Sequence, residues 1–179
     1  MKRNEGFSLV ELIVVIAILA VLSTAAVVGI GMIGGWRMNQ CVSLLDSGLK
    51  ETRTDALSRE AAYLIISCDE NGNYYMEGTK YPREKIAGKP IEIVYTTDAG
   101  TGEEMIIPDH PLTLSYDRAS GAFLPILEWD AGNGIYVPKQ TGEGANIAYV
   151  YCTSIQIRTG EEKSTTIKLS KSTGKHSIE

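Results

Sequence analysis

The most apolar stretch of the chain lies near its N-terminus and predicts a helix. Residues 12–33 carry no charge, and their only polar side chains are those of Ser23 and Thr24. A helix that crosses a bilayer needs about 20 apolar residues, and in lipid a single segment must satisfy its backbone internally. The pattern therefore predicts a membrane-spanning helix, and Lys2 and Arg3 predict that its N-terminal end stays in the cytoplasm.

A single charge, that of Glu11, interrupts this apolar run near its start. A carboxylate inside a membrane helix costs about 2.5–3.5 kcal/mol on insertion scales and marks a candidate functional residue. A plain membrane anchor does not account for this carboxylate. A secretory signal peptide does not fit either, because its apolar core has roughly 7–15 residues. Two alternatives stay open for Glu11, a functional role or a side chain that reaches the lipid headgroups from the helix start.

A second helical pattern follows the apolar run. Apolar or small side chains recur every third or fourth residue on one predicted face, at Met38, Val42, Leu45, Leu49, Thr52 and Ala56. This period is that of an amphipathic helix. We expect the helix to continue over residues 36–62 and to pack against the chain's own sheet rather than to form a coiled-coil seam.

From residue 63 onward, short apolar runs alternate with turn signals, which predicts strands. Asn71-Gly72 is a hairpin signal between the predicted strands Tyr63–Cys68 and Tyr74–Met76. Residues 80–89 and 131–134 are predicted to be loops. The other predicted strands are Ile91–Tyr95, Met105–Ile107, Leu112–Tyr116, Ala122–Leu124, Ile147–Arg158, Thr165–Leu169 and a last short strand after residue 175. The expected fold class is α+β, a long N-terminal helix followed by an antiparallel β domain over residues 63–179.

The composition limits the possible functions but does not identify one. The 179 residues suffice for one anchor and one domain, and the net charge is −5. Lys2, Arg3 and Glu5 contribute +1, so the remainder carries −6 and lacks the basic surplus typical of a nucleic-acid partner. Three cysteines cannot all pair. Buried thiols are favoured over a Cys68–Cys152 disulfide, and no zinc-type spacing is present.

Other candidate chemistry is sparse. The sequence Asp69-x-Asn71-x-Asn73 has the opening rhythm of a calcium loop, but the glycine and glutamate of that loop are missing, so a turn is the simpler interpretation. His110 and His176 stand alone, and no phosphate-binding glycine motif occurs. We therefore predict no catalytic residues, no metal, no cofactor and no enzymatic activity.

The N-terminal residues carry a specific resemblance. Gly6-Phe7-Ser8-Leu9-Val10-Glu11, after a short basic leader and before an apolar helix, resembles the signature of type IV pilins and type II secretion pseudopilins. The resemblance implies that a prepilin peptidase cuts between Gly6 and Phe7 and methylates the Phe7 amine with S-adenosylmethionine. It also implies a leader over residues 1–6, a transmembrane helix over residues 7–35, and a pairing of Glu11 with the Phe7 ammonium of a neighbouring subunit.

The same resemblance implies a pilin fold and a structural role in a filament. The implied partners are the prepilin peptidase, sister pilins or pseudopilins, an inner-membrane assembly platform and the lipid bilayer. Residues 53–61, 167–169 and 172–175 resemble minor pseudopilins related to the type II secretion H subunit and FimT-like pilins. Two alternatives remain, a membrane-anchored enzyme and a pilus-associated module that binds DNA or a surface through residues 81–89 or 136–139.

Overall fold

The computed structural model describes residues 9–58, 61–100, 102–142, 146–160 and 163–179, without the side chains of residues 23–34. The chain divides into two compact units between Trp36 and Arg37. One α-helix, α1, runs from Leu9 to Leu57. The unit that starts at Arg37 contains the last part of α1 and every strand of the described chain, and it is called the globular unit below.

The predicted apolar stripe of the helix is buried. Five of its residues belong to one hydrophobic core together with residues from the strands, and Thr52 is buried beside them with its hydroxyl bonded to the Gly48 carbonyl at 2.7 Å. The helix ends at Leu57, short of the predicted end near residue 62. There the backbone N–H of Ser58 donates to the carbonyls of Thr54 and Asp55, and its hydroxyl also donates to Asp55.

The strands form two larger antiparallel sheets and one short ribbon. The strands are β1 Tyr63–Cys68, β2 Tyr74–Gly78, β3 Glu84–Ala87, β4 Ile91–Thr97, β5 Glu103–Met105, β6 Leu112–Ser115, β7 Leu127–Asp130, β8 Ile135–Pro138, β9 Gln140–Thr141, β10 Ala148–Tyr149, β11 Cys152–Thr159, β12 Lys163–Leu169 and β13 His176–Ile178. The first sheet has the order β3-β2-β1-β6-β7-β8, the second has the order β13-β12-β11-β4-β5, and β10 pairs with β9. The predicted α+β class, a helix followed by antiparallel strands, is confirmed.

Specific polar contacts tie the helix to the loops of the globular unit. The buried Tyr116 hydroxyl donates to the Leu49 carbonyl at 3.1 Å. The Arg53 guanidinium donates to two backbone carbonyls, those of Gly121 and Thr173, each at 3.1 Å. Tyr116 and Arg53 therefore provide hydrogen-bond donors to carbonyls on the helix and on two loops. The same bonds fix the helix in position against those loops.

The strand predictions are right in part. The Asn71-Gly72 hairpin is present, with Gly72 at a φ of 78° and β1 paired with β2. The loop prediction for residues 80–89 is wrong, because edge strand β3 lies within it. The loop prediction for residues 131–134 is confirmed, because these residues form the turn between β7 and β8, but the two strands on either side were not predicted. The long strand predicted over residues 147–158 is two separate strands, β10 and β11.

Candidate functional site

Glu11 lies in the first turn of α1, where its negative charge complements the positive end of the helix dipole. Its side chain is exposed, and no hydrogen bond or ion pair joins its carboxylate to another of the described residues. Gly6 and Phe7, the two predicted processing residues, lie outside the described residues. The structure therefore places one of the three predicted site residues.

The helix segment around Glu11 is apolar on every side. Its large apolar side chains between residues 9 and 22 are all exposed, and at 100° per residue they cover the full circumference. They are Leu9, Val10, Leu12, Ile13, Val14, Val15, Ile16, Ile18, Leu19, Val21 and Leu22. A helix that is hydrophobic all round is normally buried in a protein core or in a membrane. This segment thus needs an apolar environment that the described part of the chain does not give it.

The span prediction for residues 7–35 does not gain support from the structure. Among the described residues, no helical window combines the length and the hydropathy required to cross a membrane.

The comparison with protein families bears on this N-terminal segment. Residues 1–27 match the model described as the prokaryotic N-terminal methylation motif. The chain therefore carries a prokaryotic N-terminal methylation motif, and this match agrees with the resemblance noted in the sequence. Neither the curated proteins nor the solved structures gave a significant match. Because the methylation motif ends at residue 27, it does not test the closer likeness to the H subunit and FimT-like pilins.

The globular unit holds a groove that the sequence did not predict, here called the aromatic groove. Its volume is about 730 Å³, and its lining includes Trp129 and Tyr136. These two residues are cross-strand partners on β7 and β8, with ring centroids 5.1 Å apart in an edge-to-face arrangement. Their exposed fractions are 57% and 44%. Two aromatic residues on either side of the glycine-rich turn were the sequence signal that could have predicted this groove. Tyr136 was part of one predicted binding patch, but Trp129 was not.

A charged network lies in the same groove. Lys139 is within 3.0 Å of a Glu104 carboxylate oxygen and 3.3 Å of one from Glu128, and the Tyr95 hydroxyl donates to Glu104 at 2.7 Å. Burial alone would raise the pKa of the Glu104 carboxyl, but the hydrogen bonds from Tyr95 and Lys139 hold it below its usual value. Burial and the bond to Glu104 raise the pKa of Tyr95. The network therefore keeps a carboxylate charged and a phenol neutral at neutral pH.

The calcium-like loop is organised as a turn. The Asp69 carboxylate accepts four hydrogen bonds, from the backbone N–H groups of Asn71 and Asn73, the Asn73 amide and the Tyr75 hydroxyl. These bonds, led by that of the Asn73 amide, lower the pKa of Asp69 to about 2. The predicted turn thus explains the three polar residues, and among the described residues no group of side chains has the arrangement of a metal site.

The cysteines and His176, which the sequence offered as further candidate residues, occupy structural positions. All three cysteines are free, with Cys41 and Cys152 buried and Cys68 partly buried. Burial raises the pKa of Cys41 to about 12 and raises that of Cys152 as well, so neither thiol is activated. The side chain of His176 is almost fully buried, and its Nε2 lies 2.7 Å from an Asp46 oxygen. This contact links β13 to α1.

Proposed function

We propose that the chain is a structural subunit, most simply a minor one, of a type IV pilus-like or type II secretion pseudopilus filament. The observation that supports this most directly is the methylation motif over residues 1–27, with Glu11 in the first turn of an exposed apolar helix. The proposal includes cleavage between Gly6 and Phe7 by a prepilin peptidase and N-methylation of Phe7. A structural role rather than an enzymatic one is part of the proposal.

The proposed anchor follows from the apolar surface of α1. Before assembly, lipid would cover the side chains of residues 9–22, with the N-terminus in the cytoplasm and the globular unit outside the membrane. During assembly on an inner-membrane platform, sister pilins would replace the lipid. We propose a single membrane span over residues 7–35, which can first lie in lipid and then pack against sister pilins.

Glu11 gives the assembly step a physical basis. Cleavage after Gly6 creates an ammonium group on Phe7, four residues or about one helical turn from Glu11. Each charge is costly in a low-dielectric environment, and each becomes tolerable when it is paired. An incoming subunit that supplies the missing charge is therefore held in one register. Because this chain keeps Glu11, we place it below the tip of the filament rather than at the tip.

Intact-mass measurement of the protein recovered from membranes tests the processing step. We expect a chain that lacks Met1 to Gly6 and carries one additional methyl group at Phe7. Gly6→Leu should leave uncleaved precursor in the membrane, whereas the matched control Ser8→Ala should be processed normally. A mature protein that retains the leader would contradict the proposal.

A second candidate function, a pilus-associated binding module, has one specific observation in its favour. The aromatic groove exposes Trp129 and Tyr136 beside Lys139, and its buried Thr113 hydroxyl has no hydrogen-bond partner within the described residues. Exposed aromatic rings next to convergent polar groups are typical of ligand sites. Loss of surface adhesion or DNA uptake in Trp129→Ala, with normal filament assembly, would favour this module over a purely structural role.

A further inference from the structure

We propose that a basic groove on the globular unit binds the phosphate groups of anionic lipids at the outer surface of the membrane. The groove has a volume of about 460 Å³. Among the described residues that line it are three cations, Arg37, Lys85 and Lys89, and no aspartate or glutamate. The chain as a whole is acidic, with a net charge of −5, so this grouping runs against the overall composition.

Two of the three cations are held in place by their neighbours. The Lys85 ammonium donates to the Asn73 amide oxygen at 2.7 Å. The stem of Lys89 lies over Gly72, where an added Cβ would be 2.8 Å from the Lys89 Cε. A side chain at Gly88 would meet the Asn73 amide oxygen at 2.9 Å, so glycine at this position keeps the groove open. The ammonium groups are therefore partly preorganised, which lowers the entropy lost on binding.

The other polar groups of the groove suit an anion. Gln40 and Asn71 are neutral amide residues of the lining, and Asn73 uses its amide to position Lys85 and to donate to Asp69. Asp69, which contacts both asparagines, already accepts four hydrogen bonds and has little capacity left to compete for the cations. No ion pair joins Arg37, Lys85 or Lys89 to a carboxylate among the residues that the structure describes. Phosphate oxygens are the natural partners of such a donor-rich, positively charged groove.

The position of Arg37 in the chain favours a lipid headgroup, rather than a free anion, as the source of the phosphate. This step rests on the proposed function, in which the span ends at residue 35. Arg37 follows two residues later, which is about 3 Å of helical rise. A cation at that distance from the span lies in the headgroup region, where anionic lipids attract Lys and Arg. Duplex DNA is the weaker alternative, because most of its affinity comes from phosphate neutralisation and three cations neutralise only about three phosphates.

Hydrogen–deuterium exchange of the full chain in nanodiscs tests this inference. One set of discs contains phosphatidylcholine alone, and the other contains phosphatidylcholine and phosphatidylglycerol at about 3:1, a ratio that gives a negative surface potential. We expect slower exchange over residues 84–91 in the anionic discs, with the protection lost at high salt. Three cations near an anionic surface should raise the equilibrium constant for contact with lipid phosphates by roughly a hundredfold at low salt.

Matched variants separate the groove from net charge. The triple variant Arg37→Gln, Lys85→Gln, Lys89→Gln should lose the lipid-dependent protection. The control Arg118→Gln, Lys163→Gln, Lys175→Gln removes the same charge from residues outside the groove and should keep the protection.

The other outcomes overturn the inference in distinguishable ways. A chain that inserts into both kinds of disc without lipid-dependent protection would refute the groove and leave the proposed anchor standing. Failure to insert into either disc would refute the anchor and the inference together. Equal protection by inorganic phosphate in phosphatidylcholine discs would make the groove a site for free anions. Protection by a DNA duplex under those conditions would make it a nucleic-acid site.

Discussion

Gly48 offers a sharp test of how α1 contacts the strands of the globular unit. A Cβ added there would lie 2.5 Å from the Met76 sulfur, 3.0 Å from the Met76 Cε and 3.4 Å from the Leu64 Cδ1. Glycine inside a helix is less favourable than alanine by about 1 kcal/mol. The Met76 side chain therefore occupies the space that an ordinary helix residue would need.

The expected effect of Gly48→Ala depends on Met76. In the native background the gain in helix propensity of about 1 kcal/mol is opposed by overpacking, which typically costs about 1–3 kcal/mol. We expect a net loss of about 0–2 kcal/mol in the free energy of unfolding. In a Met76→Ala background the steric overlap is gone, and Gly48→Ala should stabilise the protein by about 1 kcal/mol. The two effects should differ by roughly 1–3 kcal/mol, as expected for residues in contact.

Urea unfolding of the full chain in mild detergent, followed by circular dichroism, measures both effects. Ser47→Ala is the matched control, because Ser47 is exposed on the same helix and its replacement changes helix propensity alone. The control should give the same small gain in both backgrounds. If Gly48→Ala stabilises the protein by about 1 kcal/mol with Met76 present, the packing argument is wrong.

Three further predictions concern the globular unit. Because its hydrogen bonds hold the Asp69 pKa at about 2 instead of 3.8, Asp69 contributes stability above pH 3.8 that is lost as the pH falls towards 2. Urea midpoints of Asp69→Asn should therefore decline less than those of the wild type over that range, and parallel curves would contradict this. Arg53→Ala removes the donor from the part-buried Gly121 carbonyl, while water can replace the exposed bond to Thr173, so the free energy of unfolding should fall by about 1 kcal/mol. An unchanged urea midpoint would refute the role of the guanidinium. A thiol reagent should modify Cys41 and Cys152 only in urea and Cys68 slowly in the native protein, and fast native labelling of all three would refute their burial.

The sequence predicted best where one physical signal dominated. The spacing of Met38, Val42, Leu45 and Leu49 identified a helix face, and all four side chains are buried. Burial on one face requires this period, so the pattern is strong. Asn71-Gly72 predicted its hairpin for a similar reason, because few residue pairs adopt such a turn easily.

The sequence failed where tertiary contacts decide the structure. Strand β3 begins with the exposed residues Glu84 and Lys85, and only its last two residues are buried, so no alternation marks it as a strand. The hairpin of β7 and β8 is mostly exposed and attaches to β6 through the single pair Thr113 and Leu127. Edge elements of this kind are fixed by their partners rather than by their own pattern.

The same distinction holds for the candidate sites: a site defined by a local motif was predicted, and one assembled by tertiary contacts was not. Gly6, Phe7 and Glu11 were predicted from a local motif, and the family comparison supports that motif over residues 1–27. Residues 81–89 were predicted as a possible binding patch, and Lys85 and Lys89 of the basic groove lie within it. The groove itself could not be predicted, because Arg37 and the asparagines that complete it come from two other parts of the chain.

The incorporation of a Glu11→Leu variant into filaments tests the central claim most directly. The substitution removes a charge from an apolar helix, so its insertion should be unharmed or improved, by about 3 kcal/mol on insertion scales. Incorporation should fall, because the Phe7 ammonium of an arriving subunit finds no carboxylate and an unpaired buried charge is strongly unfavourable. Glu11→Gln should show the same loss, and Val15→Leu, an apolar change one turn away, should behave as the wild type.

The measurement compares membrane abundance with recovery in sheared surface fibres or in pull-downs with sister pilins. The account predicts normal membrane abundance and lost incorporation for Glu11→Leu. Incorporation equal to that of the wild type, at equal membrane abundance, would contradict the claim that Glu11 sets the register of a filament subunit.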